Sequence, residues 1–271
     1  MYKTLFIVLA IVFVVFIFNF PSLDRSRLMR VHFINVGYGS SVFIELPNGQ
    51  NLLVDAGPKG QAQHLIEYIK SLNIGKINKA VLTHPHKDHF GGFDEIFKHF
   101  IVEEFYFNGD ERNPHEGYFD VMAQIKEDVE PKVLSRGDRL ELFSGIIIEV
   151  LHPKSLTGTA NEEVIVLWIE YGTQSFLLTS DLPEQEQGEL VDLFLKLERA
   201  NFVQVPHHGG AINDKFASRL SGKTFILSVG ENEYQNPSVE QLNKLKGKIV
   251  RTDKEGDVVI ESDGRKAKII K

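Results

Sequence analysis

Three short β-type runs open the main body of the chain: Val31 to Asn35, Ser41 to Leu46 and Asn51 to Asp55. Gly37-Tyr38-Gly39 separates the first two, and Pro47-Asn48-Gly49, a strong hairpin turn, separates the second two, so the pattern predicts a meander. Gln61 to Leu72 then places Leu65, Ile66, Ile69 and Leu72 at helical spacing, with Gly75 as its stop. Lys79 to Thr83 is a buried strand, followed by a helix from Gly92 to Phe100, a strand from Glu104 to Phe107 and a helix from Tyr118 to Val129. A second set of strands covers Ile146 to Leu151, Val164 to Tyr171 and, across Gly172-Thr173, Ser175 to Thr179. Pro183 to Arg199 is acidic early and basic late, with Leu190, Leu193, Phe194 and Leu197 on one face, the pattern of a surface helix. Strand, helix, strand, helix follow at Phe202 to Val205, Asp214 to Leu220, Phe225 to Val229 and Ser238 to Leu245, and a terminal sheet spans Ile249 to Ile270. Hairpins with covering helices in both halves predict two sheets packed face to face with helices outside. No linker divides residues 31–271, which read as one domain.

Ahead of that body the pattern changes. Leu5 to Phe20 is almost wholly apolar and close to the shortest stretch that spans a bilayer. Asn19-Phe20-Pro21-Ser22 offers bulky residues where a signal peptidase needs small ones, which favours an uncleaved anchor over a leader within residues 1–22. Residues 23–30 are a basic link carrying Arg25, Arg27 and Arg30, which the positive-inside rule would hold in the cytoplasm, against the export-like look of the segment. The expectation is a single-pass membrane protein with its folded domain outside the cytoplasm, secreted if the segment is cleaved.

Composition adds two exclusions. The chain of 271 residues has no cysteine, so disulfides and thiolate metal ligands are ruled out and any metal site must use His, Asp, Glu or Asn. A net charge of -7 gives no reason to expect a broad phosphate-tracking surface. Lys244, Lys246, Lys248, Arg251, Arg265, Lys266 and Lys268 make the C-terminal region locally positive, a pattern read as a solvated face in preference to a nucleic-acid patch.

The chemistry concentrates in Thr83-His84-Pro85-His86-Lys87-Asp88-His89-Phe90-Gly91-Gly92. Residues two apart in an extended segment point the same way, so His84 and His86 can converge on one point, while Asp88 and His89, where the chain turns into a helix, converge on a second. Two adjacent cation sites are the natural product. Gly91 and Gly92 permit a tight strand-to-helix passage and leave the cluster open to a substrate. His32, His64, His99 and His115, met singly, read as surface or satisfied core residues.

This stretch resembles the T-H-x-H-x-D-H-x-G-G signature of the metallo-β-lactamase superfamily, and its flanks are similar to the ComEC/Rec2 competence-protein hydrolase domain. The supporting segments, in family order, are Phe33 to Gly37, Leu52 to Gly57, Phe176 to Asp181, Val205 to Gly210, Ser228 to Tyr234 and Arg251 to Asp253. The resemblance implies an α/β fold, an αββα sandwich of two mixed β-sheets with outer helices, here preceded by one transmembrane helix. It implies two divalent metal ions, zinc or manganese, with His84 and His86 on the first, Asp88 and His89 on the second, Asp181 bridging and His207 completing the second. His208 stands as either a ligand or a proton donor, since adjacent strand residues point oppositely. Asn161 and His152 are rival third ligands of the first metal. Asp55 is expected to orient a ligand from behind. Departures from the family pattern include Tyr38 for Gln, Ser180 for Gly and Asn236 for the His before Pro237, the last of which bears on substrate contact.

Two cations about 3.5–4 Å apart lower the pKa of a shared water and clamp charge building on a phosphoryl or carbonyl oxygen, with Asp88 helping to orient the attacking group. The resemblance therefore implies a metal-dependent hydrolase, with a phosphodiester as the leading substrate, either nucleic acid or a diester of the cell envelope. Hydrolysis of an ester, thioester or lactam is the second reading, and a metal-binding module with vestigial activity the third.

Overall fold

Strand alternation in this chain serves two interfaces at once. In Asn51–Val54, Leu52 and Val54 face one buried cluster and Leu53 another; in Gln174–Leu178, Phe176 and Leu178 face the first and Leu177 a third. A strand buried on both faces belongs to a sheet covered on both sides. The computed structural model describes residues 28–112, 114–156 and 163–271. The apolar segment within residues 1–22 and Asn161 lie outside these, and among the described residues no helix is long and apolar enough to cross a membrane.

The first sheet contains β1 (Met29–Phe33), β2 (Val42–Glu45), β3 (Asn51–Val54), β4 (Lys76–Leu82), β5 (Ile101–Phe107) and β6 (Lys132–Val133). The second is built from β7 (Ile146–His152), β8 (Val166–Tyr171), β9 (Gln174–Leu178), β10 (Phe202–Gln204), β11 (Thr224–Leu227) and β12 (Lys248–Arg251). The chain then returns to the first sheet with β13 (Val258–Ser262) and β14 (Ala267–Ile269). Strand orders are β14-β13-β1-β2-β3-β4-β5-β6 and β12-β11-β10-β9-β8-β7. Both sheets are mixed: β3 to β6 run parallel, as do β9 to β12, and the remaining pairs are antiparallel. The turn at Asn48-Gly49 joins β2 to β3 as its residues predict.

Three apolar clusters separate four layers. Phe33, Ile44, Leu167, Ile169, Phe176 and Ile260 fill the space between the sheets. Leu65, Ile69, Phe93, Ile96 and Ile125 bury the helices Ala62–Ser71, Phe93–His99 and Tyr118–Asp128 on the first sheet. Leu190, Phe216, Leu220 and Leu245 close the second sheet around Trp168 and Phe225. The αββα sandwich is what the elements predict.

Three expectations change. The terminal stretch from Ile249 to Ile270 is divided: β12 extends the second sheet parallel to β11, and β13 and β14 pair on the far side of β1. Arg30, assigned to the link, is already strand, paired across the sheet with Glu261 at 3.0 Å. The surface helix stops at Leu193 and continues as a 3₁₀ turn over Leu195–Arg199.

Gly92 serves packing and not only access. A Cβ there would run into the carbonyl oxygen of Ala56, closer than a real Cβ sits. Gly92→Ala is therefore expected to cost about 2 kcal/mol through forced backbone displacement, read as a lower urea midpoint with unchanged slope.

Candidate metal centre

The carboxyl ends of the parallel strands meet at one edge of the two sheets, the usual position for a ligand in such sheets. Asp55 follows β3, Thr83 and His84 follow β4, Asp181 follows β9, and His207 and His208 follow β10. Asp88 and His89 sit on the short helix Lys87–Phe90 directly after His86. Six non-glycine residues among those described have positive φ, and four of them are Asp55, Ser180, His207 and His208. Left-handed backbone at such residues costs about 1 kcal/mol or more each and persists where surrounding contacts impose it.

Those contacts form a continuous network. Asp55 accepts hydrogen bonds from Thr83 N–H at 2.8 Å, Thr83 Oγ1 at 2.9 Å and His89 Nδ1 at 2.7 Å. With its hydroxyl proton given to Asp55, Thr83 Oγ1 is left to accept from Ser180 Oγ at 2.7 Å and His84 Nδ1 at 3.1 Å. Behind His208, the Ser228 carbonyl accepts from Nδ1 at 2.9 Å.

Each of these imidazoles thus carries its proton on Nδ1 and presents Nε2 forward. His84 Nε2, His89 Nε2 and His208 Nε2 are buried without a hydrogen-bond partner. Asp181 joins them: its Oδ1 lies 3.2 Å from His89 Nε2 and 3.3 Å from His208 Nε2, and its Oδ2 lies 3.7 Å from His84 Nε2. Asp88 Oδ2 is 3.4 Å from His208 Nε2. Ligand atoms of Asp88, His89, Asp181 and His208 lie within 4.8 Å of one another, as do those of His84, His86 and Asp181. Unpartnered imidazole nitrogens facing carboxylate oxygens are a donor set for divalent cations, and two such groups sharing one aspartate fit a pair of ions.

Without a cation the groups neutralise one another. Burial opposes charge on His89, yet Asp181 and Asp55 hold its pKa well above the usual histidine value; His208 is raised in the same way against burial by Asp181 and Asp88. Burial would raise Asp181 and Asp88, but the neighbouring imidazoles hold both low. His84, buried and beside His89, is pushed well below its ordinary value, and burial with His115 takes His86 to about 4. A cation at the second group must expel the protons that His89 and His208 retain. Titration with zinc or manganese in buffers of different ionisation enthalpy is expected to show proton release that shrinks as pH rises through those raised values.

The structure brings His84, His86, Asp88, His89 and Asp181 together and exchanges the two histidines after β10. His208, buried, stands with Asp88 and His89, where His207 was expected; His207, more exposed, approaches Asp181 Oδ2 at 3.7 Å, the oxygen that His84 also faces. His152 belongs to neither group, its Nδ1 donating to the Val164 carbonyl at 2.8 Å. Asn236 contacts the hydroxyl of Tyr38, whose ring packs on His208 at 4.6 Å between centroids. Burial raises the Tyr38 pKa to about 12. His115 was assigned no role, but it stacks on His86 at 4.1 Å and accepts the Lys87 amide N–H at 3.2 Å. Its neighbour Asn113-Pro114 marks only a turn, so no local signal in the sequence connects it to the cluster.

Because Asp55 fixes the His89 ring from behind, Asp55→Ala is expected to weaken cation binding by about 10–100-fold in equilibrium dialysis, more than Asp55→Asn.

A sequence profile of the metallo-beta-lactamase superfamily matches residues 34–245. ComE operon protein 3 of Bacillus subtilis (strain 168) is 28% identical over 267 residues, covering 89% of this chain and 34% of that protein. Competence protein ComA of Neisseria gonorrhoeae is 24% identical over 230 residues, covering 82% and 30% respectively. The chain thus spans about a third of the length of these curated relatives. Among solved structures, a diphosphatase from the PhnP family superposes with a TM-score of 0.50 at 18% identity, over 86% of this chain and 98% of that one. The CmlA beta-hydroxylase E377D mutant superposes with a TM-score of 0.53 at 10% identity, over 85% and 53%. With four layers in the expected order, a paired His/Asp centre at the sheet edge and a profile match over most of its length, the chain belongs to the metallo-β-lactamase superfamily.

Proposed function

We propose that this metal-dependent hydrolase cleaves phosphodiester bonds, using two divalent cations of the zinc or manganese kind. The observation that carries the reading is the sharing of Asp181 between two adjoining groups beside a cavity of about 650 Å³ that Asp88 and Tyr38 line. His84, His86 and Asp181 would hold one cation, with His207 near the same carboxylate oxygen; Asp88, His89, Asp181 and His208 would hold the other. When bound, the pair supplies charge stabilisation for a phosphoryl group and acidifies water.

The chain's own residues do the rest. Asp55 keeps a His89 proton on Nδ1, and the Ser228 carbonyl does the same for His208, so the proton each gives up to a cation is the one on Nε2, whose lone pair then faces the centre. We read His208 as a ligand on this ground, which leaves proton donation to another group. Tyr38 lines the cavity and burial keeps its proton to about pH 12, so the phenol can donate to a phosphoryl oxygen throughout the physiological range. The PhnP-family neighbour, a diphosphatase, shares the fold. Attachment through the N-terminal segment would place the centre at a membrane surface, where envelope diesters and incoming nucleic acid are both within reach.

The full chain with manganese or zinc is expected to hydrolyse bis-p-nitrophenyl phosphate. Asp181→Asn, which touches both groups, should lower kcat/KM by about a thousandfold, at least as much as His86→Ala. Turnover of nitrocefin or p-nitrophenyl acetate without phosphodiester turnover would replace the reading with acyl hydrolysis, and bound cation with no turnover would leave a binding module.

A further inference from the structure

The cavity beside the metal centre has a charge pattern that the phosphodiester reading alone does not require. Asp88, Asp94, Glu116, Asp120, Glu231 and Glu233 all line it. Asp88 belongs to the candidate metal centre and Asp94 is paired with Lys59, whose Nζ lies 2.7 Å from Asp94 Oδ2, which leaves four carboxylates facing one lysine, Lys87. Lys87, next to Asp88 in sequence, makes no ion pair among the described residues and is the base left for a single phosphoryl charge.

Two further observations point to what the acidic wall meets. Glu116, Asp120, Glu231 and Glu233 are exposed at the cavity and make no ion pair among the described residues. Tyr38 and Tyr234 stand 5.4 Å apart at 34° on the same cavity, with the Tyr234 ring 64% exposed, presenting aromatic faces of the kind that attract cations. Phe90, Val121 and Pro58 add apolar surface between them. A volume of about 650 Å³ is on the order of 9 Å across, close to the Debye length at physiological ionic strength, so the carboxylates act on whatever enters before salt screens them.

We propose that this cavity binds the alcohol portion of a small phosphodiester, and that this portion carries an ammonium group. The inference rests on the phosphodiester reading for the reaction, but the pocket itself rests on the wall. A polynucleotide would bring further phosphates into the acidic field, where its binding needs lysines and arginines. A diester with one phosphate and one ammonium matches both ends: the anionic group goes to the cations and Lys87, and the cationic group goes to the carboxylates and tyrosines.

The full chain, loaded with manganese or zinc, is compared on p-nitrophenyl phosphorylcholine, bis-p-nitrophenyl phosphate, thymidine 5′-(p-nitrophenyl phosphate) and a single-stranded oligonucleotide. The choline ester is expected to exceed the thymidine ester at least tenfold in kcat/KM, with the advantage falling as salt rises. Glu231→Gln combined with Glu233→Gln, two exposed positions, should cut that ratio at least fivefold. Calorimetry with choline alone gives a readout apart from turnover: binding is expected in the parent chain and weakened at least fivefold in the Glu231/Glu233 variant. Equal or faster cleavage of the thymidine ester or oligonucleotide would overturn the pocket and leave the phosphodiester reading standing. Choline binding that depends on Glu231 and Glu233, with no diester cleaved, would leave the pocket standing and overturn the reaction. Neither binding nor cleavage would overturn both.

Discussion

A buried carboxylate needs partners, and Asp55 finds three at once. It accepts from the backbone and hydroxyl of Thr83 and from the ring of His89. Removing an ionised group from water costs several kcal/mol unless hydrogen bonds replace its hydration, so this arrangement is rigid: any shift that breaks one bond leaves a buried charge short of a donor. The consequence spreads because Thr83 is itself shared. Its Oγ1 meets Ser180, which belongs to the other sheet, and His84, which faces the metal centre. One carboxylate thereby ties the ends of β3 and β4 to the end of β9.

A second polar link crosses the same seam. Gln204 at the end of β10 donates to Ser40 Oγ at 3.0 Å and accepts the Ser180 N–H at 3.1 Å, while Thr179 Oγ1 donates to the Gln204 carbonyl at 2.9 Å. The apolar contacts between the sheets hold them together without specifying their relative register at the edge; directional hydrogen bonds do that. The left-handed backbone at Asp55, Ser180, His207 and His208 falls in this polar seam, where the network can impose it. Precision in the metal centre is thus a property of the seam between the sheets more than of the histidine cluster.

The residues reveal this unevenly. His84, His86, Asp88 and His89 are legible because they are close in sequence and of ligand type, and Asp55 and Asp181 because the segments that carry them resemble the family pattern. The choice between His207 and His208 is not legible. The expectation of opposite faces assumes an extended backbone, whereas both residues adopt φ near +50° within a 3₁₀ turn, a conformation that histidine does not advertise as glycine would. His115 escapes for a different reason: its stacking on His86 is a tertiary contact between a loop and the cluster, with no periodicity to carry it. The division of the last strands between two sheets is likewise invisible locally, since β12 and β13 both centre on a few β-branched residues and only pairing partners distinguish them. Lys244, Arg251 and Lys268, read from the sequence as a solvated face, are each paired with a carboxylate, at Asp214, Asp253 and Glu261, and the first two are partly buried.

The distribution of charge then separates two length scales of recognition. At the centre, two divalent cations held as proposed would exceed the charge of Asp88 and Asp181, with neutral histidines around them, so an excess of positive charge would be confined to the few ångströms around Asp181. The surrounding cavity carries the opposite sign. An anion is attracted only if its charge is compact enough to sit on the centre while the remainder of the molecule is neutral or positive; charge spread along a chain meets the wall as well as the ions. On the proposed reaction, affinity for a phosphoryl group and discrimination among phosphoryl compounds would therefore fall to different residues, the first to groups anchored by Asp55 and Asp181, and the second to the carboxylates and tyrosines outside them.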